Sequence, residues 1–232
     1  MAKIDKRRKY GIMLDTETAN TIETDGKLDM TNALFYDFGF AVIDSHGRVY
    51  ETFSFVNRDI FVYERELMKS AYYADKIPQY VAELREGKRK MADTHEIRKA
   101  MLSAIKKYDC RFVCAHNARF DVTACNNTQR YTSKSKYRYF FPRHLEVWDT
   151  LMMARSVIAK MPTYRRFCEE HGYITKQNQV RLTAEVLHRF IHNDLTFVES
   201  HTGLEDVLIE AEILAYCQKQ HKPMKKVLYG VR

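Results

Sequence analysis

Three apolar residues, Ile12, Met13 and Leu14, run directly into two carboxylates spaced by one residue, Asp15 and Glu17. Residues 10–18 read as a first strand on that run. Strand side chains alternate between faces, so Asp15 and Glu17 point the same way at its end. A second strand is expected over 33–43, Ala-Leu-Phe-Tyr-Asp-Phe-Gly-Phe-Ala-Val-Ile, which is rich in aromatic and β-branched residues. Asp44-Ser45-His46-Gly47 has the composition of a turn. Residues 49–56 alternate cleanly and give a third strand, joined so tightly to the second that the two are antiparallel.

The period then becomes helical. Helices are expected over 63–75 and 78–86, the latter with Pro78 at its start, followed by a basic turn at 87–91. Ile97, Met101, Leu102 and Ile105 fall at helical spacing behind Asp93 or Thr94 as cap, predicting a helix over 93–108. A short fourth strand (111–115), a helix to about Arg130, a fifth short strand (145–149) and helices over 150–159, 162–171, 182–191 and 203–219 complete the pattern. Leu204, Val207, Leu208, Ala211, Leu214 and Ala215 make an apolar stripe on the last helix. The order predicts one α/β domain with a mixed five-stranded sheet, its first three strands antiparallel, flanked by helices. No repeat or internal boundary interrupts it. The expected organisation is a basic tail at 1–9, a single domain over 10–220, and a basic tail at 221–232.

Composition changes this picture only slightly. A chain of 232 residues with four Pro and eight Gly suits one domain with a sizeable core and no long disordered linker. The net charge of +8 is compatible with a polyanionic partner. No run approaches the roughly 20 apolar residues that a membrane helix needs, and no apolar segment follows the basic start, so neither a membrane role nor a secretory signal is expected. The five cysteines form no C-x-x-C pair and sit among apolar neighbours, as reduced core residues of a cytoplasmic protein do.

The chemistry lies in three stretches. Two carboxylates converging at a strand end repel one another unless a cation lies between them, and oxygen ligands suit Mg²⁺ or Mn²⁺. His116-Asn117-Ala118-Arg119-Phe120-Asp121 leaves the fourth strand where α/β sheets place ligands, with Asp121 in the first turn of the next helix. By that segment alone, Asp121 stabilises the helix start and Asn117 caps it equally well. His201-Thr202-Gly203-Leu204-Glu205-Asp206 opens the last helix, and Asp206 lies off the apolar stripe. The His-x-x-x-x-Asp spacing recurs at His116–Asp121 and His144–Asp149, so it carries little weight alone.

The ordered set is specific, and it resembles the His-containing branch of the DEDD superfamily, the DnaQ-like (DEDDh) 3′–5′ exonucleases. Asp15-Thr16-Glu17-Thr18 matches the first family motif, and Asn117-Ala118-Arg119-Phe120-Asp121 the second. Trp148-Asp149-Thr150-Leu151 matches an intervening Asp-Thr-Leu, and His201 to Asp206 the third. The Tyr-containing branch places Tyr where Thr202 stands. The resemblance implies an RNase H-like fold and two divalent ions, Mg²⁺ or Mn²⁺, held directly by Asp15, Glu17 and Asp206 with help from Asp121. It implies His201 as general base, from a loop that lets it swing in with substrate, in preference to His116. Nucleoside 5′-monophosphates are the implied product, cut from the 3′ end of single-stranded nucleic acid, DNA favoured. Asp149 reads as structural. Thr18, Asn20, Asn117 and Phe120 are candidate contacts to the terminal nucleotide, although Asn117 and Phe120 serve equally as cap and core.

Basic and aromatic residues interleave over 130–141, which suits either a single-stranded tract or a solvated loop with its rings tucked inside. The alternatives are an RNA 3′-end trimmer or oligoribonuclease, and a non-catalytic nucleic-acid-binding accessory module on the same fold. A proofreading role would act in trans beside a DNA polymerase.

Overall fold

The computed structural model describes residues 4–20, 22–24, 27–29, 31–71 and 74–229. Strand β1 (Tyr10–Ala19) is central, and a small hairpin of β2 (Ile22–Thr24) and β3 (Lys27–Asp29) follows it. With β4 (Leu34–Asp44), β5 (Val49–Asn57), β6 (Lys90–Ala92), β7 (Phe112–Ala115), β8 (Glu146–Asp149) and β9 (Val227–Tyr229), β1 builds a seven-stranded sheet in the order β6-β5-β4-β1-β7-β8-β9. The β1–β4 and β4–β5 pairs are antiparallel, as expected, and β7 and β8 run parallel to β1.

Two strands correct the expected five. Residues 90–92, of which Lys90 and Met91 belong to the expected basic turn at 87–91, pair parallel with β5 as an edge strand. The expected tail at 221–232 supplies β9, antiparallel to β8. Lys226 accepts the Asp149 amide at its carbonyl, 2.9 Å away, and lays its ammonium 4.3 Å from the Trp148 ring centre. At the other end, Arg8 pairs with Asp44 at 2.6 Å and Lys9 with Glu146 at 2.7 Å. Both basic ends are therefore tied to the sheet through described residues. Three-residue strands with polar flanks carry too little alternation to be read from sequence.

Helix α1 (Arg58–Phe61) precedes the expected 63–75 helix, which among the described residues is reduced to the short α2 (Arg65–Met68) and the start of a 3₁₀ turn at Ala74–Lys76, whereas α3 (Ile77–Arg85) matches the expected 78–86 helix. Helix α4 (Thr94–Tyr108) begins in a complete capping box, Asp93 with Glu96. Helices α5 (Arg119–Ser133), α6 (Thr150–Ser156), α7 (Pro162–Glu170), α8 (Ala184–His192) and α9 (Gly203–Lys219) fall within a few residues of expectation.

Alternation along β1 separates two cores. Tyr10, Ile12 and Leu14 pack with α4 residues Ile97 and Met101 and with Cys125 of α5. Met13 packs on the other face with Val207, Ala211 and Leu214 of α9. Asp15 and Glu17 continue the Met13 side, towards α9. A third cluster, Tyr36, Val56, Ile60 and Tyr80, seats α1 and α3. Among the described residues no helix is long and apolar enough to cross a membrane.

The stripe expected on α9 is corrected. Leu208 is 40% exposed, whereas Asp206, Ile209, Glu210, Ile213 and Cys217 are buried beside Val207, Ala211 and Leu214. The helix is enclosed around most of its circumference, so its apolar residues do not mark one face.

Candidate active site

Helix α9 approaches the sheet at a glycine-to-glycine contact. A Cβ built on Gly39 would overlap the Gly203 carbonyl carbon and the Leu204 amide nitrogen, and Gly203 itself would clash with Gly39. Gly39 stands opposite Asp15 in the β1–β4 register. Absence of a side chain at both positions thus lets the first turn of α9 sit against the carboxylate-bearing end of β1. The β1–β4 register shifts between Glu17 and Thr18, a bulge of the kind found beside reactive sites.

The outcome is a convergence of acids. Asp15, Glu17 and Asp206 each offer an oxygen, all within 4.8 Å of one another. Asp15 is partly buried, and Glu17 and Asp206 are buried. Asp121, in the first turn of α5, joins from the opposite face of β1: its Oδ1 accepts from the Thr16 amide at 3.1 Å and the Thr16 hydroxyl at 2.9 Å. Burial, then the charges of Asp121, Glu210, Glu17 and Asp206, push the Asp15 carboxyl well above the usual range. Burial and the neighbouring Asp37 and Asp206 do the same to Glu17, against the pull of Lys76. Burial raises Asp121 to about 7, and burial with Glu199 and Glu205 raises Asp206 to about 8.

Two oxygens explain what these acids lack. Asp206 Oδ1 and Glu210 Oε2 are buried with no hydrogen-bond partner among the described residues. Unpaired buried carboxylate oxygens are costly, and a divalent cation with hard oxygen preference satisfies several at once. The donor set therefore fits Mg²⁺ or Mn²⁺.

Sequence reasoning missed Glu210. It lies one helical turn past Asp206, is 3% exposed, and feels Asp121 as its strongest neighbouring charge. The i,i+4 spacing was the available signal. It also missed the buried Asp37, which stands opposite Glu17 on β4. Asp37 accepts from Tyr80 Oη at 2.9 Å, from the Gly203 amide at 2.9 Å, and from Arg89 at 3.0 and 3.1 Å. Arg89, read as part of a basic turn, also bonds Glu83, and Ser54 and Glu205 at 2.9 and 3.1 Å. This buried cation ties β4, β5, α3 and the start of α9 together, and offsets part of the Asp37 charge that bears on Glu17. Arg89→Ala leaves Asp37 as an uncompensated buried charge and is expected to cost about 3–5 kcal/mol. Thermal melting should fall by roughly 10 °C; a shift within 2 °C would disprove the assignment.

The two candidate histidines differ. His116 contacts Thr150 Oγ1 at 2.9 Å through Nδ1 and the Leu182 carbonyl at 2.7 Å through Nε2, so both ring nitrogens are engaged in the fold. His201 is in the loop before α9, in the left-handed region at φ 49°, with Nδ1 3.8 Å from Glu199 Oε2. Its ring, Glu199 and Asp206 offer atoms within 4.8 Å of one another. Burial and Lys76 hold its pKa below the usual 6.5. Lys76 donates to the Ser200 carbonyl and, at 3.5 Å, to the His201 carbonyl, anchoring the loop.

Asp149 caps α6, accepting from the Leu151 and Met152 amides at 2.8 and 3.3 Å, and also takes the Asn117 amide at 3.2 Å. Asn117 is exposed at φ 67° and makes no side-chain cap to α5, Phe120 is half-buried, and Thr18 is buried. The Asn20 side chain donates to the Asn32 carbonyl at 2.9 Å. Beside Asn20 is an open cavity of about 400 Å³ lined by Asn127, Arg130, Tyr131, Lys134 and Lys136. In the 130–141 stretch Phe140 is buried, while Tyr137 and Tyr139 are 79% and 44% exposed, Tyr139 flanked by Arg130 and Arg143.

A mixed sheet with its central strand carrying acids towards a C-terminal helix defines the RNase H-like α/β class. Within it, the chain shares its fold with solved 3′-exonucleases. The nuclease domain of 3′hExo, a DEDDh family member bound to rAMP, matches with TM-score 0.55 and 13% identity over 97% of this chain and 99% of that one. A 3′-exonuclease recognising a histone mRNA stem-loop matches with TM-score 0.55 and 12% identity, covering 95% and 86%. Exonuclease I of E. coli, in a zinc-bound complex with single-stranded DNA, matches with TM-score 0.51 and 14% identity over 92% of this chain and 41% of that chain. No family model and no curated protein matches the sequence.

Proposed function

We propose that this chain is a metal-dependent 3′–5′ exonuclease that hydrolyses single-stranded nucleic acid and releases nucleoside 5′-monophosphates. The carrying observation is the convergence of Asp15, Glu17 and Asp206 within 4.8 Å. It stands on a fold shared with 3′-exonucleases.

Asp15, Glu17 and Asp206 would hold divalent cations, with Asp121 and Glu210 beside them. Bound there, a metal pair supplies an activated water and charge stabilisation for an in-line displacement at phosphorus. His201, neutral because its pKa is held below 6.5, accepts the proton of the attacking water. Lys76 positions that residue through the loop carbonyls. Asn20 and the cations lining the neighbouring cavity receive the strand, its phosphates meeting Arg130, Lys134 and Lys136.

The test is degradation of 3′- and 5′-labelled single-stranded DNA and RNA with Mg²⁺, Mn²⁺ or EDTA. Stepwise loss from the 3′ end, abolished by EDTA, is expected, and the faster sugar identifies the substrate. Salt-sensitive binding without shortening would instead favour a binding module. His201→Ala is expected to slow cleavage by about 10²–10⁴-fold. His116→Ala, whose ring nitrogens serve the fold, should slow it far less. A His201→Ala rate equal to the parent's would reject the base assignment.

A further inference from the structure

Away from the acids, α8 and α9 bring together a second ligand set of different chemistry. His188 and His192 lie one helical turn apart on α8, with ring centres 4.3 Å apart and planes 32° from parallel. Both turn Nε2 towards the same oxygen, Glu212 Oε2 of α9, at 3.3 and 2.8 Å. The three ligand atoms fall within 4.8 Å of one another. His188 is 15% exposed in its side chain, and its ring packs on Phe197 at 3.9 Å between centres. That contact fixes the orientation of one ligand before any ion arrives.

We propose that His188, His192 and Glu212 form a site for Zn²⁺, distinct from the catalytic acids. Two imidazole nitrogens and one carboxylate are the donor set of a borderline transition metal in tetrahedral coordination, water completing the fourth position. Mg²⁺ prefers oxygen and competes poorly for such a set, so the two sites separate by chemistry. The site has a place in the fold that gives it consequence. The connector from His192 to Gly203 carries Phe197, Glu199 and His201. A zinc ion joining α8 to α9 pins the His192 end of this connector to the body of α9, nine residues beyond Gly203, and so restrains the segment that presents His201.

The experiment measures zinc uptake by tag-free, full-length protein in equilibrium dialysis with excess Mg²⁺, in an Asp15→Asn/Asp206→Asn background that removes two catalytic carboxylates. One tightly held zinc equivalent is expected. His192→Ala and Glu212→Ala, both at exposed positions, should each weaken it by about 100-fold or more. Cobalt substitution should give the intense visible absorption of tetrahedral nitrogen and oxygen ligation, absent from His192→Ala. Hydrogen exchange over 193–202 should slow on zinc addition. No retained zinc would show that these side chains form ordinary histidine–glutamate pairs. Uptake unchanged by both single variants would place the ion elsewhere. Either result overturns the proposal and leaves the exonuclease reading standing.

Discussion

Asp15→Asn is expected to lower metal-dependent shortening of a 3′-labelled oligonucleotide by at least about 10³-fold while raising the melting temperature of the metal-free protein. The two effects have one cause. Asp15 lies among Glu17, Asp121, Asp206 and Glu210, and its carboxyl is held well above the usual range first by burial and then by their charges. Amide in place of carboxylate removes one member of this repelling group, which relaxes the metal-free fold. The same change removes a negative ligand from the proposed cation site, and a 10³-fold loss corresponds to roughly 4 kcal/mol of transition-state stabilisation. Paired activity and melting measurements in EDTA give the answer. Loss of activity together with a large drop in melting temperature would mean that Asp15 serves the fold, and retained activity would remove it from the chemistry.

Metal-free protein should lose stability as pH rises from about 4 to about 8. Asp121 and Asp206 carry ordinary values of 3.8 when unfolded and are raised to about 7 and about 8 when folded. Between those limits the folded state binds more protons than the unfolded state, so stability falls with rising pH. Their mutual relaxation shrinks the total below the sum of the separate shifts. A few kcal/mol remains, or about 5–10 °C in melting temperature for a domain of this size. A divalent cation binds the deprotonated carboxylates and reverses the trend. In melts at pH 5.5 and 8 in EDTA, the midpoint should be lower at pH 8, and Mn²⁺ should raise it more there than at pH 5.5. Asp206→Asn should flatten the slope. An EDTA profile equally high at both pH values, with no Mn²⁺ effect, would remove the cation site.

These expectations rest on features that the sequence exposes unevenly. Alternation is local, so the common face of Asp15 and Glu17 follows from adjacent residues alone. Asp149 as a cap and Asp121 in a first helical turn are likewise short-range consequences of a strand passing into a helix. Arg89 shows the contrary case. In sequence it belongs to Gly-Lys-Arg-Lys-Met, a basic turn by composition. In the fold it is buried against Asp37, Glu83 and Glu205, which come from three separate elements. Burial of a charge depends on partners far along the chain, and no local pattern encodes them.

The α/β class, the antiparallel opening of the sheet, most helix positions and the shared face of the two β1 carboxylates all follow from the residues in order. Periodicity and capping act over a few residues, and these are their products. Tertiary structure alone decided that Gly39 and Gly203 touch, so that Asp206 reaches Asp15 and Glu17. It also decided that Glu210 joins the acids with its Oε2 unpartnered, that the His116 ring is consumed by Thr150 and Leu182 whereas His201 stands beside Asp206, and that residues 90–92 and 227–229 become sheet edges. Each of these depends on close packing between segments distant in the chain. There, backbone approach and shared burial choose the neighbours, and both are set only when the whole core closes.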